Sequence, residues 1–190
     1  MQVPPILRNV PSELKTRNLT LRCPREGDGT VVFDAVLETL DDLRKWPASL
    51  PWSLIEPSIE ESEKFCRTAQ AQFINRTSLS YLAFDSAGKL VASVGLHDIN
   101  WKVPKFELGF WCRSSSHRKG VASESAEALL KLAFHELNAR RVEALSDEMN
   151  LASRGVCERI GMQLEGIMRS ERVTPDGELR NTCIYACIAP

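Results

Sequence analysis

"SSSHRKGVASESAEALLKLAF", residues 114–134, runs from a polar segment through a single glycine directly into a helix with one greasy face. Ala122, Ala126, Leu129, Leu130, Ala133, Phe134 and Leu137 recur at the spacing that puts them on one stripe. A helix start presents N–H groups without intrahelical partners, and the aligned peptide dipoles make that end locally positive, so an anion is its natural guest. Gly120 lets such a guest approach the backbone, while Arg118 and Lys119 add positive charge. The phosphate-loop pattern GxxxxGK[ST] and the dinucleotide pattern GxGxxG are both absent here. Two readings stay open for this loop: a seat for a pyrophosphate carried by some other cofactor, or a serine-capped turn without a ligand.

Outward from this helix, periodicity predicts a mixed α/β chain. "NLTLRC" (18–23) reads as a strand. "GDGTVVFDAVLETLDDLRKW" (27–46) reads as a helix, with Asp28 or Thr30 available to cap it. "PASLPWSLIEPS" (47–58) holds three prolines and no periodicity, hence a loop, and Ser58 with Glu61 has capping-box spacing for a second helix. "LSYLAFD", "KLVASVGLHDI" and "KFELGFWCR" predict an antiparallel meander whose first turn uses Gly88. After the central helix come a strand, "RRVEALSD", a short helix, "LASRGVCERIG", and a hairpin about "TPDG". The expected fold is therefore α/β, a central, mostly antiparallel mixed sheet of about seven strands flanked by about four helices. One domain over 1–190 is expected, with 1–13 as an N-terminal extension.

Composition narrows the partners. The 24 Lys plus Arg are interspersed with 25 Asp plus Glu, for a net charge of −1, so nucleic acid is not an expected partner. No apolar run reaches membrane-spanning length and the start does not read as a signal peptide, which makes a cytoplasmic protein the expectation. Cysteines 23, 66, 112, 157, 183 and 187 form no CxxC pair, so neither a metal site nor a disulfide framework is expected.

The segment "HRKGVA" (117–122) resembles the Q/R-x-x-G-x-G/A signature of the GNAT superfamily of acetyltransferases, with His117 where Gln or Arg is usual. "FELGFWC" is similar to the strand "AEIGYWL" of the RimJ/RimL-like branch, which acetylates ribosomal-protein N-termini. "NLASRGVCERIGMQLEGIMR" resembles the branch's N-x-x-S…G-F-x-x-E-G-x-x-R segment, and "KTRNLTLR" its opening strand. The likeness spans about residues 14–188. It implies acetyl-CoA as co-substrate without a metal, a primary amine as acceptor, and a monomer or homodimer. His117, Arg118, Lys119, Gly120, Val121, Ala122 and Ser123 would then bind the pyrophosphate, with Phe110, Trp111 and Cys112 nearest the thioester and Asn150 on the pantetheine arm.

Acyl transfer to an amine requires that the amine lose a proton and that the thiolate leaving group gain one. The resemblance makes Glu107 the first candidate base, since it sits on the strand where several members of the superfamily place a catalytic glutamate; its other reading is an ordinary strand charge. His97 and Asp98, ending the neighbouring strand, come second as groups in the acceptor cleft. Many relatives carry a tyrosine donor where this chain has Cys157. The resemblance transfers that role to Ser153, with Cys157 in reserve; Ser153 is otherwise a first-turn helix residue and Asn150 an N-cap. Trp46 and Trp52 are expected in one wall of the acceptor pocket, or simply in the core. Acceptor choice is expected between "KWPASLPWSLIEP", including Trp52 and Glu56, and the "RVTPDGEL" turn.

Overall fold

The computed structural model describes residues 3–189. Eight strands form one sheet in the order β1-β2-β3-β4-β5-β6-β8-β7. They are β1 (Glu13–Lys15), β2 (Thr20–Arg22), β3 (Leu79–Phe84), β4 (Leu90–Asn100), β5 (Lys105–Cys112), β6 (Arg141–Asp147), β7 (Gln163–Val173) and β8 (Leu179–Ile188). Every neighbouring pair is antiparallel except β5 and β6, which run parallel. The strand beyond the expected seven is β1, three residues whose pairing with β2 no period could announce. It draws the expected N-terminal extension into the fold, where Val10 is buried and the Tyr81 hydroxyl donates to the Pro11 carbonyl.

Four helices cover the sheet: α1 (Gly29–Leu43), α2 (Ile59–Asn75), α3 (Val121–Lys131) and α4 (Leu151–Arg159). Leu82 pairs with Ser93 while Tyr81 pairs with Val94, so alternation sends Leu82 and Val94 to opposite faces. Leu82 packs with Val32 and Ala35 of α1 and Cys66 of α2. Val94 belongs to the larger core with Ala126, Leu129, Leu130 and Ala133, the stripe that the central helix was expected to bury. That stripe continues beyond α3 through a wide i+5 turn at Leu132–Glu136, closed by the Leu137 amide on the Leu132 carbonyl at 3.1 Å.

Local chemistry explains where expectations held and where they moved. Ser58 caps α2, its hydroxyl accepting from the Glu61 amide at 3.0 Å. Neither Asp28 nor Thr30 caps α1. The Asp28 carboxylate, buried, is bound bidentately by Arg22 at 2.6 and 2.7 Å and also accepts from the Arg25 amide. The start of α1 is served instead by Glu63 of α2, which accepts from the amides of Gly27 and Gly29. Gly29 permits that approach, since an added Cβ would meet the Glu63 backbone at 2.9 Å. The proline-rich loop contains one short 3-10 turn, Pro51–Leu54, which places Trp52 toward the sheet.

Candidate active site

The parallel pairing of β5 with β6 covers only Lys105–Glu107 against Arg141–Glu143. Beyond Glu107 the strands part, while β5 remains paired to β4 as far as Cys112 and β6 to β8 as far as Asp147. A splayed sheet leaves main-chain donors and acceptors along two inner edges. Their direction follows from the β4–β5 ladder. The Arg113 amide donates to the Val91 carbonyl at 2.9 Å, so alternation turns the amides of Trp111 and Gly109 toward β4 and those of Phe110 and Cys112 into the gap. The Cys112 carbonyl meets His117 Nε2 at 3.2 Å.

The gap opens onto the start of α3. Gly120 sits there with φ +78°, and Arg118 is also left-handed at φ +61°. Among the described residues, no protein acceptor meets the amides of Lys119, Gly120, Val121, Ala122 or Ser123; the first helical bond is made by Glu124 to the Gly120 carbonyl. The loop is held in shape by α1. Glu38 accepts from the Ser115 amide at 2.9 Å and from Arg113 at 3.0 Å, Thr39 from the Ser114 amide at 3.2 Å, and Asp42 from the Ser114 hydroxyl at 2.7 Å. The Ser115 hydroxyl and amide, with the charges of Arg113 and Lys89, hold the Glu38 carboxyl below its usual range. From the far side, Glu124 accepts from Thr16 and Asn18 and ties α3 to the β1–β2 turn. The cradle is thus built before any ligand arrives, which lowers the cost of binding.

A cavity of about 1300 Å³ runs from this cradle through the gap to the far face of the sheet. A single drug-sized ligand occupies roughly 300–1,000 Å³, so this volume accommodates a long ligand or two. Of the residues singled out in the sequence, Glu107, Phe110, Trp111, Cys112, His117, Arg118, Gly120, Val121, Ala122, Ser123, Asn150, Ser153, Trp46, Trp52 and His97 all line it. Lys119 and Asp98 do not; the Lys119 side chain stands exposed in solvent. Cys157 is fully buried in the core, and burial pushes its thiol up to about 12, so it has no part in the cavity. The "TPDG" turn also stays away, and only Arg172 reaches the cavity from that hairpin.

Glu107 is the most perturbed carboxyl of the site, pushed up to about 7. Burial is the largest cause; the charge of Asp98 and a hydrogen bond shared with it add to the rise, and Arg172 opposes it. Glu107 is therefore poised to exchange a proton near neutral pH. Its cross-strand partner is His97, whose Nδ1 lies 3.0 Å from the Ser78 hydroxyl. Burial lowers the His97 pKa against the pull of Asp98, which favours the neutral ring. On β6's side of the gap, Asn150 caps α4 through its Oδ1, which accepts from the Ser153 amide at 3.0 Å. Its Nδ2 has no partner among the described residues, so capping and a ligand contact are compatible. Asn150→Ala should remove the cap and cost about 1 kcal/mol, read from a urea unfolding midpoint.

Arg159 was not singled out from the sequence. It leaves the last turn of α4, lines the cavity and donates to the Ser123 hydroxyl at 3.1 Å, adding a cation beside the α3 start. A basic residue in a final helical turn reads as a complement to the helix dipole, and only the packing of α4 beside α3 gives it this second role. Phe65 was also missed, for want of a local pattern, and Arg172 is the one residue of the expected "RVTPDGEL" segment that reaches the cavity.

Residues 18–163, well over half of the chain, match the family described as Acetyltransferase (GNAT) domain. In Bacillus subtilis (strain 168), a relative named "Putative ribosomal N-acetyltransferase YdaF" is 34% identical over 82 residues, covering 43% of this chain and 45% of the relative. A second, "Uncharacterized N-acetyltransferase YnaD", is 36% identical over 64 residues, covering 34% and 38%. The alignments thus span less than half the length of these two curated relatives. The fold is shared with the microcin C7 self-immunity acetyltransferase MccE in complex with acetyl-CoA and AMP: TM-score 0.85, 18% identity, 94% of this chain and 97% of that one. It is equally shared with RimL, the ribosomal L7/L12 alpha-N-protein acetyltransferase, in complex with coenzyme A: TM-score 0.84, 23% identity, coverage 95% and 97%. The splayed sheet, the open amide cradle and the match across residues 18–163 agree, and the chain belongs to the GNAT acetyltransferase family.

Proposed function

We propose that this protein transfers the acetyl group of acetyl-CoA to a primary amine, and that the amine is the N-terminal α-amino group of a protein or peptide. The observation that carries the transfer reading is the continuity of one cavity from the unpartnered amides of α3, through the β5–β6 gap, to Glu107. Roughly 17 Å of strand separates Glu107 from Cys112 at about 3.4 Å per residue, room for an extended arm between an anion seat and a proton acceptor. When bound, acetyl-CoA supplies an activated acyl group and a thiolate leaving group. Residues 118–123 and Arg159 would hold the phosphates, the inner edge of β5 would pair with the amide-rich arm, and the Phe110 amide, turned into the gap, would be available to negative charge developing on the acyl oxygen.

Glu107 in its ionised form takes the proton that the incoming ammonium must lose. Ser153 lines the cavity with its hydroxyl free of partners among the described residues; it passes its proton to the departing sulfur and recovers one from the amine nitrogen, which sheds a second proton as the amide forms. A thiol's ordinary pKa near 8.5 makes that group tolerable even without help. Ser153→Ala should therefore slow single-turnover acetyl transfer by about tenfold to a hundredfold. A change below twofold would leave Ser153 a helix residue only. Cys112, though beside the gap, is pushed up to about 11, chiefly by burial, and stays a neutral thiol rather than a nucleophile.

The resemblance to the RimJ/RimL-like branch and the relative named for a ribosomal acetyltransferase support an N-terminal acceptor. A second reading, a small amine, is favoured by the largely apolar lining contributed by α1 and the proline-rich loop. Incubation of the protein with acetyl-CoA and matched substrates, followed by fragmentation mass spectrometry, separates them. Acetylation of peptide α-amino groups in preference to polyamines and aminoglycosides is the expected outcome; the reverse preference selects the second reading.

A further inference from the structure

The row of side chains facing α1 and α2 along β4 and β5 is unusual in what it lacks. Ser93, Gly95 and His97 pair across to Trp111, Gly109 and Glu107, so two glycines lie side by side in the middle of the sheet. The His97 ring occupies the space they leave. An added Cβ at Gly95 would meet it at 2.8 Å, and one at Gly109 at 3.1 Å. Beyond this floor the cavity is walled by aromatic groups. Trp52 and Trp111 have ring centroids 6.2 Å apart, and Trp46 and Phe65 stand with them along the lining. Trp52 is 40% exposed and Phe65 41%, so large apolar rings face solvent inside a concavity. Ser49 also lines this chamber, its hydroxyl buried and without a hydrogen-bond partner.

Resting on the acetyltransferase reading, and naming its acceptor more closely, we propose that this chamber receives a bulky apolar group, aromatic or branched aliphatic, attached next to the reactive amine. Exposed aromatic surface in a pocket gains most from an apolar occupant. The charges at hand argue against a second cation. Asp42 is engaged by Lys45 and Ser114, Glu56 by Arg44, Glu61 by Lys64 and Asp147 by Arg180, while Arg172 brings positive charge to the cavity. A polyamine would have to bury its further ammonium groups without a free carboxylate beyond Glu107.

The test compares kcat/KM for tripeptides that differ only at the first residue, Phe, Leu, Ser or Lys, together with spermidine. Phe and Leu should exceed Ser by about tenfold or more, the scale at which apolar pockets discriminate. Trp52→Ala and Phe65→Ala, both at partly exposed positions, should abolish that preference through KM while leaving acetyl-CoA affinity unchanged. Equal rates for Phe and Ser, or preference for Lys or spermidine through cation–π contact, would overturn the proposal. If no amine is acetylated, the transferase reading fails first, and tryptophan fluorescence titration then judges the chamber alone. Tighter binding of phenethylamine than of spermidine supports it, and equal or reversed affinities overturn it.

Discussion

Glu107→Gln will lower kcat by about a hundredfold to ten-thousandfold with little change in acetyl-CoA affinity, because the amide keeps the shape of the carboxylate and loses its basicity. The sign of the pH effect follows from the upward shift. Glu107 works as a base only when ionised, and with its pKa pushed up to about 7 that form appears as pH rises through neutrality. The parent rate should therefore climb on an acid limb near pH 7, and the variant should lose that limb. The deficit will be largest above pH 7 and will shrink at pH 5.5, where the parent too is protonated. Asp98→Asn separates base from tuner: it removes a neighbouring negative charge, so the limb should move to lower pH while the maximal rate stays within a few fold. A pH–rate profile unchanged in Glu107→Gln would remove this residue from the chemistry.

Gly120→Val is the counterpart at the other end of the cavity. Gly120 adopts φ +78°, where a β-branched residue is strained by about 1–2 kcal/mol or more, and it supplies the residue just before α3. Apart from its immediate chain neighbours, no protein atom lies within 4 Å of the position its Cβ would take. That open space is where the phosphates of the proposed ligand approach the amides. Strain and blockage act together, so acetyl-CoA affinity measured by calorimetry should fall by about a hundredfold. Gly120→Ala, with the same backbone strain and a smaller obstruction, should fall in between. Equal affinity in parent and Val variant would remove the loop from the binding site.

The parts of this molecule that were legible in its sequence are those whose causes are local. The stripe from Ala126 to Leu137, the Ser58 cap and the "TPDG" turn each depend on residues within a few positions of one another and lie where local pattern put them, whereas Ala122, expected on the same stripe, lines the cavity. The α1 cap was not legible because its acceptor, Glu63, lies on another helix, and Asp28 was drawn away by Arg22. The same distinction divides the site. Glu107, His97 and Ser153, singled out from resemblance and position on predicted elements, all line the cavity. The β5–β6 gap arises from where pairing stops rather than from any residue type, so no pattern in "FELGFWC" announces it. Arg159 and Phe65 enter the cavity only because α4 and α2 are packed beside it. Asp98 moved in the other direction: expected in the cleft, it stands off the cavity at φ +43° and acts through its charge on Glu107.

The most direct test of the central claim, that one continuous cavity brings an acetyl thioester to an amine beside Glu107, is a free-thiol release assay with acetyl-CoA and Phe-first peptide, run in parallel on the parent protein and Glu107→Gln. The account predicts amine-dependent thiol release by the parent, matched one for one by acetylated peptide, and near-complete loss in the variant despite calorimetric binding of acetyl-CoA. Binding of acetyl-CoA by the parent with no thiol released to any amine would contradict it and leave a protein that holds the thioester without transferring it.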